Sequence, residues 1–159
     1  YSMKSFDITV PVQVLAYDEL PSDIRPIVDE ARRMTHNSYA PYSNFHVGAA
    51  ILLSDGSIVT GANQENVAYP SGTCAERSAC FNAGANHPDA RFRAIAIAAR
   101  GTDGEFTEPP TAPCGACRQA LLEYETLAKA PVPVYLVGRD SIYRVPSVAA
   151  LLPLAFTEF

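Results

Sequence analysis

Positive charge is in short supply. The chain has 12 Lys and Arg residues against 17 Asp and Glu, a formal net charge of -5 over 159 residues and a pI of about 5.1. Proteins that track a nucleic-acid backbone carry a basic footprint, so a polymeric nucleic-acid partner is disfavoured. No apolar run reaches the roughly 18 residues that a membrane span needs. The segment Tyr1-Ser2-Met3-Lys4-Ser5 lacks the apolar stretch of a secretion signal. There is no internal repeat, low-complexity tract, linker or glycine-rich phosphate loop. Cysteine is sparse too, with four residues: Cys74, Cys80, Cys114 and Cys117. Without a secretion signal the expected setting is the reducing cytoplasm. Disulfides are rare there, and a Cys-x-x-Cys pair is more often a metal or redox site. What the chain does have is apolar material, 48% of its residues, enough for one packed core at this length.

Phe6, Ile8, Val10, Val12 and Val14 alternate with other residues at the period of a strand. Pro11 within that run confines it to an edge. Residues 1–17 are therefore expected to form a strand-like arm ahead of a single domain spanning 18–159. A helix should follow, capped by Ser22 or Asp23, with Pro26 in its first turn, where a missing N–H costs least. Ile24, Ile27, Val28, Ala31 and Met34 mark its buried stripe. Tyr39 to Asn44 reads as a loop. Val47 to Leu53 and Ile58 to Gly61 read as a hairpin about Asp55-Gly56, and Asn63 to Thr73 as irregular chain. Cys74 to Ala85 is a predicted helix, Ala94 to Ala99 a central strand, Gly101 to Ala112 a long loop, and Cys114 to Tyr124 a further helix. Val132 to Val137 and Ile142 to Val145 are predicted strands, and a terminal helix is expected after Pro146. This order of elements implies an α/β fold with one mixed sheet covered by helices on both faces.

Three cysteines and one glutamate carry the chemistry. Cys114 and Cys117 flank Gly-Ala at a predicted helix start, a spacing that lets two thiolates converge on one ion. Cys74 opens another helix and can supply a third ligand. Helix N-termini favour anions and help keep thiolates deprotonated. A structural zinc site closes with four protein ligands, whereas a catalytic one keeps three and leaves a position for water. Cys80 lies about 9 Å along its helix from Cys74 and well round the cylinder, so it reads as a small core residue. One zinc per chain, on Cys74, Cys114 and Cys117, is the expectation. Glu76 falls in the first turn of its helix, near the ion without binding it, where a carboxylate can take and deliver protons. A zinc module that uses the metal only to fold is the rival reading; the three-ligand count and Glu76 speak against it.

Cys74-Ala75-Glu76 followed by Pro113-Cys114-Gly115-Ala116-Cys117 resembles the motif pair of zinc deaminases acting on aminated bases. Other segments narrow the resemblance. Tyr42-Ser43-Asn44-Phe45-His46-Val47-Gly48-Ala49-Ala50 resembles the Phe-x-Val-Gly-Ala segment of the small, one-zinc-per-subunit cytidine deaminases of pyrimidine salvage. Asn63-Gln64-Glu65-Asn66 is similar to their Asn-x-Glu-Asn ribose motif, and Leu151-Leu152-Pro153-Leu154-Ala155-Phe156 to their Leu-Leu-Pro-x-x-Phe ending. The resemblance implies a three-layer αβα sandwich and a homotetramer with shared active sites. It implies zinc-dependent hydrolytic deamination of free cytidine and deoxycytidine, with release of ammonia. Phe45 would line the pyrimidine face, Asn63 and Glu65 would hold the ribose 3′-hydroxyl, and the Ala75 amide would donate to the base carbonyl. Arg77 would lie beside the thiolates, and Tyr69 and Phe156 would complete the shared site. Glu76 would take a proton from the attacking water, pass it to N3 and later protonate the departing amino group.

Each of these residues has a plainer role by type. Phe45, Tyr69 and Phe156 suit ordinary packing, Asn63 suits a turn, and Glu65 and Arg77 suit a solvated surface. The motif beside Phe45, and the two-residue spacing of Asn63 and Glu65 in one loop, favour the binding roles. A related deaminase of another aminopyrimidine, either a blasticidin-type nucleoside or a nucleic-acid base, would share the zinc motifs. Phe45 and the Asn63/Glu65 pair favour an ordinary nucleoside, and the acidic pI disfavours a polymer.

Overall fold

The computed structural model describes residues 2–158, so Tyr1 of the expected arm and Phe159 of the expected domain lie outside the described residues. One mixed sheet is built from β1 (Gln13–Leu15), β2 (His46–Leu53), β3 (Ile58–Ala62), β4 (Phe92–Arg100), β5 (Val134–Val137) and β6 (Ile142–Val145). Their order across the sheet is β1-β6-β5-β4-β2-β3. The β4–β5 pair is parallel and the others are antiparallel. A parallel pair needs a crossover, which is the long loop after β4 followed by α3 (Gly115–Ala128). The remaining helices are α1 (Arg25–Met34) and α2 (Ala75–Asn86). Among the described residues no helix is long and apolar enough to cross a membrane.

The strand alternation sorts the core into two layers. Ala49, Ile51, Leu53, Ile95, Ile97, Val134 and Leu136 face α2 and α3, meeting Ala79, Cys80, Leu121 and Leu122. Ala50, Ala94, Ala96 and Ala98 point the other way, toward Ile27, Val28 and Ala31 of α1. The result is helix, sheet, helix, as expected. Small side chains on the α1 face let that helix sit close to the sheet, and Gly48 takes this to its limit. A Cβ there would collide with the Ala31 carbonyl oxygen and come within 2.7 Å of the Thr35 nitrogen. On the other face Gly61 of β3 meets the start of α2. A Cβ on Gly61 would strike the Ala79 nitrogen and lie 2.7 Å from the Ala75 carbonyl oxygen.

Three local expectations change. The apolar alternation from Phe6 to Val14 becomes a strand only over Gln13–Leu15, paired with β6 at the sheet edge. Phe6, Ile8, Val10 and Val12 are exposed. Neither Ser22 nor Asp23 caps α1, whose N-cap is Ile24 with no side-chain cap. A preceding turn instead directs the Ile24 and Arg25 N–H groups to the Pro21 carbonyl at 3.0 and 3.3 Å. The expected terminal helix is a single 3-10 turn, Ala149–Leu151. Pro153 stops its extension, Leu154 adopts a φ of 55°, and the buried Glu125 carboxylate takes the N–H groups of Val148 and Ala149.

Candidate active site

Two helices begin at the site, and each begins with a cysteine. Cys74 is the N-cap of α2 and Cys114 the N-cap of α3, both with extended backbone and neither making a side-chain capping bond. Ser, Thr, Asp or Asn at such a position stabilises a helix by typically about 1 kcal/mol. The cysteines forgo that and leave their sulfurs available. Cys117 lies within the first turn of α3 and is buried. The Sγ atoms of Cys74, Cys114 and Cys117 all lie within 4.8 Å of one another. Hydrogen bonding from Cys117, and after it from Arg77, pulls the Cys74 thiol down to about 5 against the opposing effect of burial. Cys117 moves the opposite way, because its proton is shared with Cys74 and because it is buried. The donor set is soft and converges on one point, and Cys74 is the thiol held toward its thiolate form. Three sulfurs bound at about 2.3 Å would sit roughly 3.8 Å apart around tetrahedral zinc, which this cluster reaches with small adjustments. The residues therefore fit zinc, with one position open.

Glu76 follows Cys74 in the first turn of α2 and is 5% exposed. Burial raises its carboxyl pKa, while hydrogen bonding from Cys117 opposes the shift. A carboxyl pushed upward in this way holds a proton more readily than a free one, which suits a group that must both take and give protons. Arg77 Nη2 donates to Cys74 Sγ at 3.6 Å. Hydrogen bonds to Cys74 and then Cys117 raise the guanidinium pKa further, so it remains a fixed cation. Cys80 stands apart. It is fully buried, its Sγ donates to the Arg77 carbonyl at 3.5 Å, and burial pushes its thiol up to about 11.

A cleft of about 660 Å³ opens beside the sulfurs, and Phe45, Asn63, Glu65, Tyr69, Ala75 and Glu76 are among its walls. Ala75 is the first residue of α2, so its N–H has no intrahelical acceptor. Asn63 and Glu65 reach the cleft with much of their hydrogen bonding already engaged. Asn63 Oδ1 accepts from Val47 N at 2.8 Å and its Nδ2 donates to Phe45 O at 2.9 Å. Glu65 Oε1 accepts from Tyr42 N and Ser43 N at 2.9 and 3.1 Å, and bonding from Ser43 lowers the carboxyl pKa. Phe45 is half-buried. Gln64, between Asn63 and Glu65, exchanges both backbone hydrogen bonds with Thr73 at 2.9 Å. The loop is thereby tied to the residue that precedes Cys74. Tyr69 packs edge-on against Tyr42 at 5.8 Å and is largely exposed. Phe156 is exposed and outside the walls of this cleft within one chain. Its carbonyl accepts from Gln119 Nε2 at 3.0 Å.

Sequence reasoning passed over the residues that brace this site. Arg118 Nε donates to the Pro113 carbonyl at 2.8 Å and Nη1 to the Leu151 carbonyl at 2.7 Å. Glu125 accepts from Val132 N, Val148 N and Ala149 N at 2.9, 2.7 and 3.0 Å. Arg118 could have been found by its place directly after Cys117. Glu125 carried no comparable signal.

Residues 21–132 match the family model described as the cytidine and deoxycytidylate deaminase zinc-binding region. A cytidine deaminase of Sporosarcina psychrophila is 40% identical over 136 residues, covering 86% of this chain and 93% of that protein. One from Halalkalibacterium halodurans is 41% identical over 135 residues, covering 85% and 95%. The crystal structure of the cytidine deaminase from Burkholderia pseudomallei superimposes with a TM-score of 0.69 at 40% identity, covering 82% of this chain and 97% of that one.

Proposed function

The chain belongs to the cytidine and deoxycytidylate deaminase zinc-binding family, and from that premise we propose that it deaminates free cytidine and deoxycytidine to uridine and deoxyuridine, releasing ammonia. The observation that carries this reading is the convergence of three sulfurs within 4.8 Å of one another, with Cys74 and Cys114 on the wall of a cleft that the buried side chain of Glu76 also lines. Cys74, Cys114 and Cys117 would hold one zinc per chain. Zinc held there supplies Lewis-acid activation of water at neutral pH. The chain's own residues do the rest. Glu76 takes a proton from the attacking water and gives it to N3 of the pyrimidine, which makes C4 electrophilic. The water oxygen bonds to C4, and Glu76 then moves the second proton from that oxygen to the amino group, which leaves as ammonia as the C4–N bond breaks and the C4 carbonyl forms. Arg77 holds Cys74 and offsets the charge of three thiolates. Ala75 offers its N–H to the base carbonyl and Phe45 its ring to the base. Asn63 and Glu65 receive the ribose through the lone pairs and N–H groups that the loop has not used.

The reading extends to assembly and setting. Tyr69 at the cleft and Phe156 outside it are both exposed, which suits a homotetramer in which Phe156 reaches a neighbouring site. A reducing cytoplasm suits four free cysteines. The proposed division is an arm over 1–17, whose Gln13–Leu15 joins the sheet edge beside β6, and one domain over 18–159. No nucleic-acid partner is included, since the net charge is -5.

The deciding experiment measures loss of cytosine absorbance and release of ammonia for cytidine, deoxycytidine, cytosine, cytidine monophosphate and a single-stranded oligonucleotide at equal concentration. The two nucleosides should react well. Free cytosine leaves the ribose-binding groups unpaired, a loss of up to roughly 10⁴-fold. The monophosphate brings added negative charge, and among the described residues that line the cleft Arg77 is the one cation. Faster turnover of the monophosphate or the oligonucleotide than of cytidine would refute the nucleoside assignment.

A further inference from the structure

The three sulfurs are not held alike. Cys117 is buried and Cys74 half-buried, but Cys114 is exposed, so packing does not fix it, and its side chain makes no capping bond. What grips it is Arg118. The Arg118 backbone N–H donates to the Cys114 carbonyl at 3.0 Å. Its Nε donates to the Pro113 carbonyl at 2.8 Å. That carbonyl belongs to the peptide unit ending in the Cys114 nitrogen. The guanidinium thus sets the tilt of this peptide plane and, through it, the direction in which the Cys114 side chain leaves the backbone.

The same guanidinium is anchored on its far side. Arg118 Nη1 donates to the Leu151 carbonyl at 2.7 Å, in the 3-10 turn Ala149–Leu151. That turn is pinned by Glu125, also on α3, which accepts the Val148 and Ala149 N–H groups at 2.7 and 3.0 Å. Arg118 is therefore a rigid strut between the peptide before a metal ligand and a turn near the C-terminus. A planar fork can bridge two carbonyls in fixed geometry; a lysine ammonium cannot hold both in the same way.

We propose that Arg118 is a positioning residue of the metal centre: it holds Cys114 in ligating position through the Pro113 carbonyl, with the Glu125-pinned turn at Leu151 as its anchor. Metal retention then depends on a turn near the C-terminus that contributes no ligand. The inference rests on the reading that Cys74, Cys114 and Cys117 bind zinc.

The test uses the full chain loaded with zinc and follows transfer of zinc to a chromophoric chelator, well below the unfolding temperature. Residues that orient metal ligands typically contribute 10- to 100-fold to metal affinity. Arg118→Lys and Arg118→Met should each release zinc about 10- to 100-fold faster than wild type. Glu125→Gln should move release in the same direction by less. In cobalt-substituted protein the sulfur-to-metal charge-transfer band should shift in Arg118→Lys. A purely structural role would lower the melting temperature and leave the release rate and the cobalt spectrum unchanged, which would overturn the proposal. Should Arg118→Met fail to fold, Arg118→Lys carries the test alone. Unchanged release in Glu125→Gln would overturn the dependence on the turn. A wild-type chain without zinc would overturn the metal-site reading and this inference together; a zinc-loaded wild type with an unaffected Arg118→Lys overturns the inference only.

Discussion

At the sulfur end of the cleft, Cys74 and Cys114 forgo capping bonds at the helix starts and keep their side chains for a ligand. At the loop end, Asn63 and Glu65 hold the chain together first, and under the proposed function a substrate meets only what remains. The difference follows from backbone context. A helix propagates its own hydrogen bonds, so a residue at its start can be given over to chemistry. An irregular loop has no continuous ladder, and the buried N–H and C=O groups left without a backbone partner must find side-chain ones. Side chains at the two ends should therefore fail in different ways, chemically at one and structurally as well at the other.

The largest effect should come from Glu76→Gln. Turnover should fall by about 10⁴-fold, because base and acid steps are lost together, while zinc content, melting temperature and nucleoside binding stay near wild type. Activity within tenfold of wild type would remove Glu76 from the mechanism. Asn63→Ala should break the comparison from the other side. It unpairs the Val47 N–H and the Phe45 carbonyl, so kcat/KM should fall by about 100-fold and stability by about 1–3 kcal/mol in urea unfolding. Lost activity at unchanged stability would show that the loop does not need Asn63 to hold its shape. Phe156→Ala should raise KM by up to about tenfold, the scale of one aromatic contact, and light scattering should report a tetramer. A fully active monomer at assay concentration would exclude a shared site.

Arg77→Gln should have a smaller effect, seen as a shift rather than a loss. Three thiolates on zinc leave a net negative centre that pulls weakly on water. Removing the cation that donates to Cys74 at 3.6 Å should therefore move the acid limb of the pH–rate profile upward. An unmoved profile would make Arg77 a bystander. Cys80→Ser should change zinc content not at all, since its sulfur is outside the cluster. Loss of zinc there would require a new ligand assignment.

The metal centre was legible because its residues are rare and their spacing is local. Cys114 and Cys117 share one turn of helix, and Glu76 is two residues from Cys74. The sheet was legible because the apolar runs of β2 and β4 are long and largely buried, and the short β5 is apolar and buried throughout. The terminal helix was misread because its fate depends on Glu125, which takes the N–H groups of Val148 and Ala149 and is far from them in the sequence. Neither pattern nor spacing reports such a bond. The engaged state of Asn63 and Glu65 was hidden for the same reason, since their partners lie 16 to 23 residues away.

The contact between Gly61 and α2 acts as a hard stop in a mechanical assembly. Backbone meets backbone there, with no side chain between to flex. The height of the first turn of α2 above the sheet is set by incompressible atoms, so neighbouring rotamers cannot change it. Cys74, Ala75 and Glu76 inherit that setting directly, because the Gly61 contact falls on the Ala75 carbonyl and the Ala79 nitrogen. Placement error in the site is then as small as backbone geometry permits. A single added methyl at Gly61 would work as a shim under the helix, lifting the turn that carries Cys74, Ala75 and Glu76 relative to Cys114 and Cys117, which stand on a different helix.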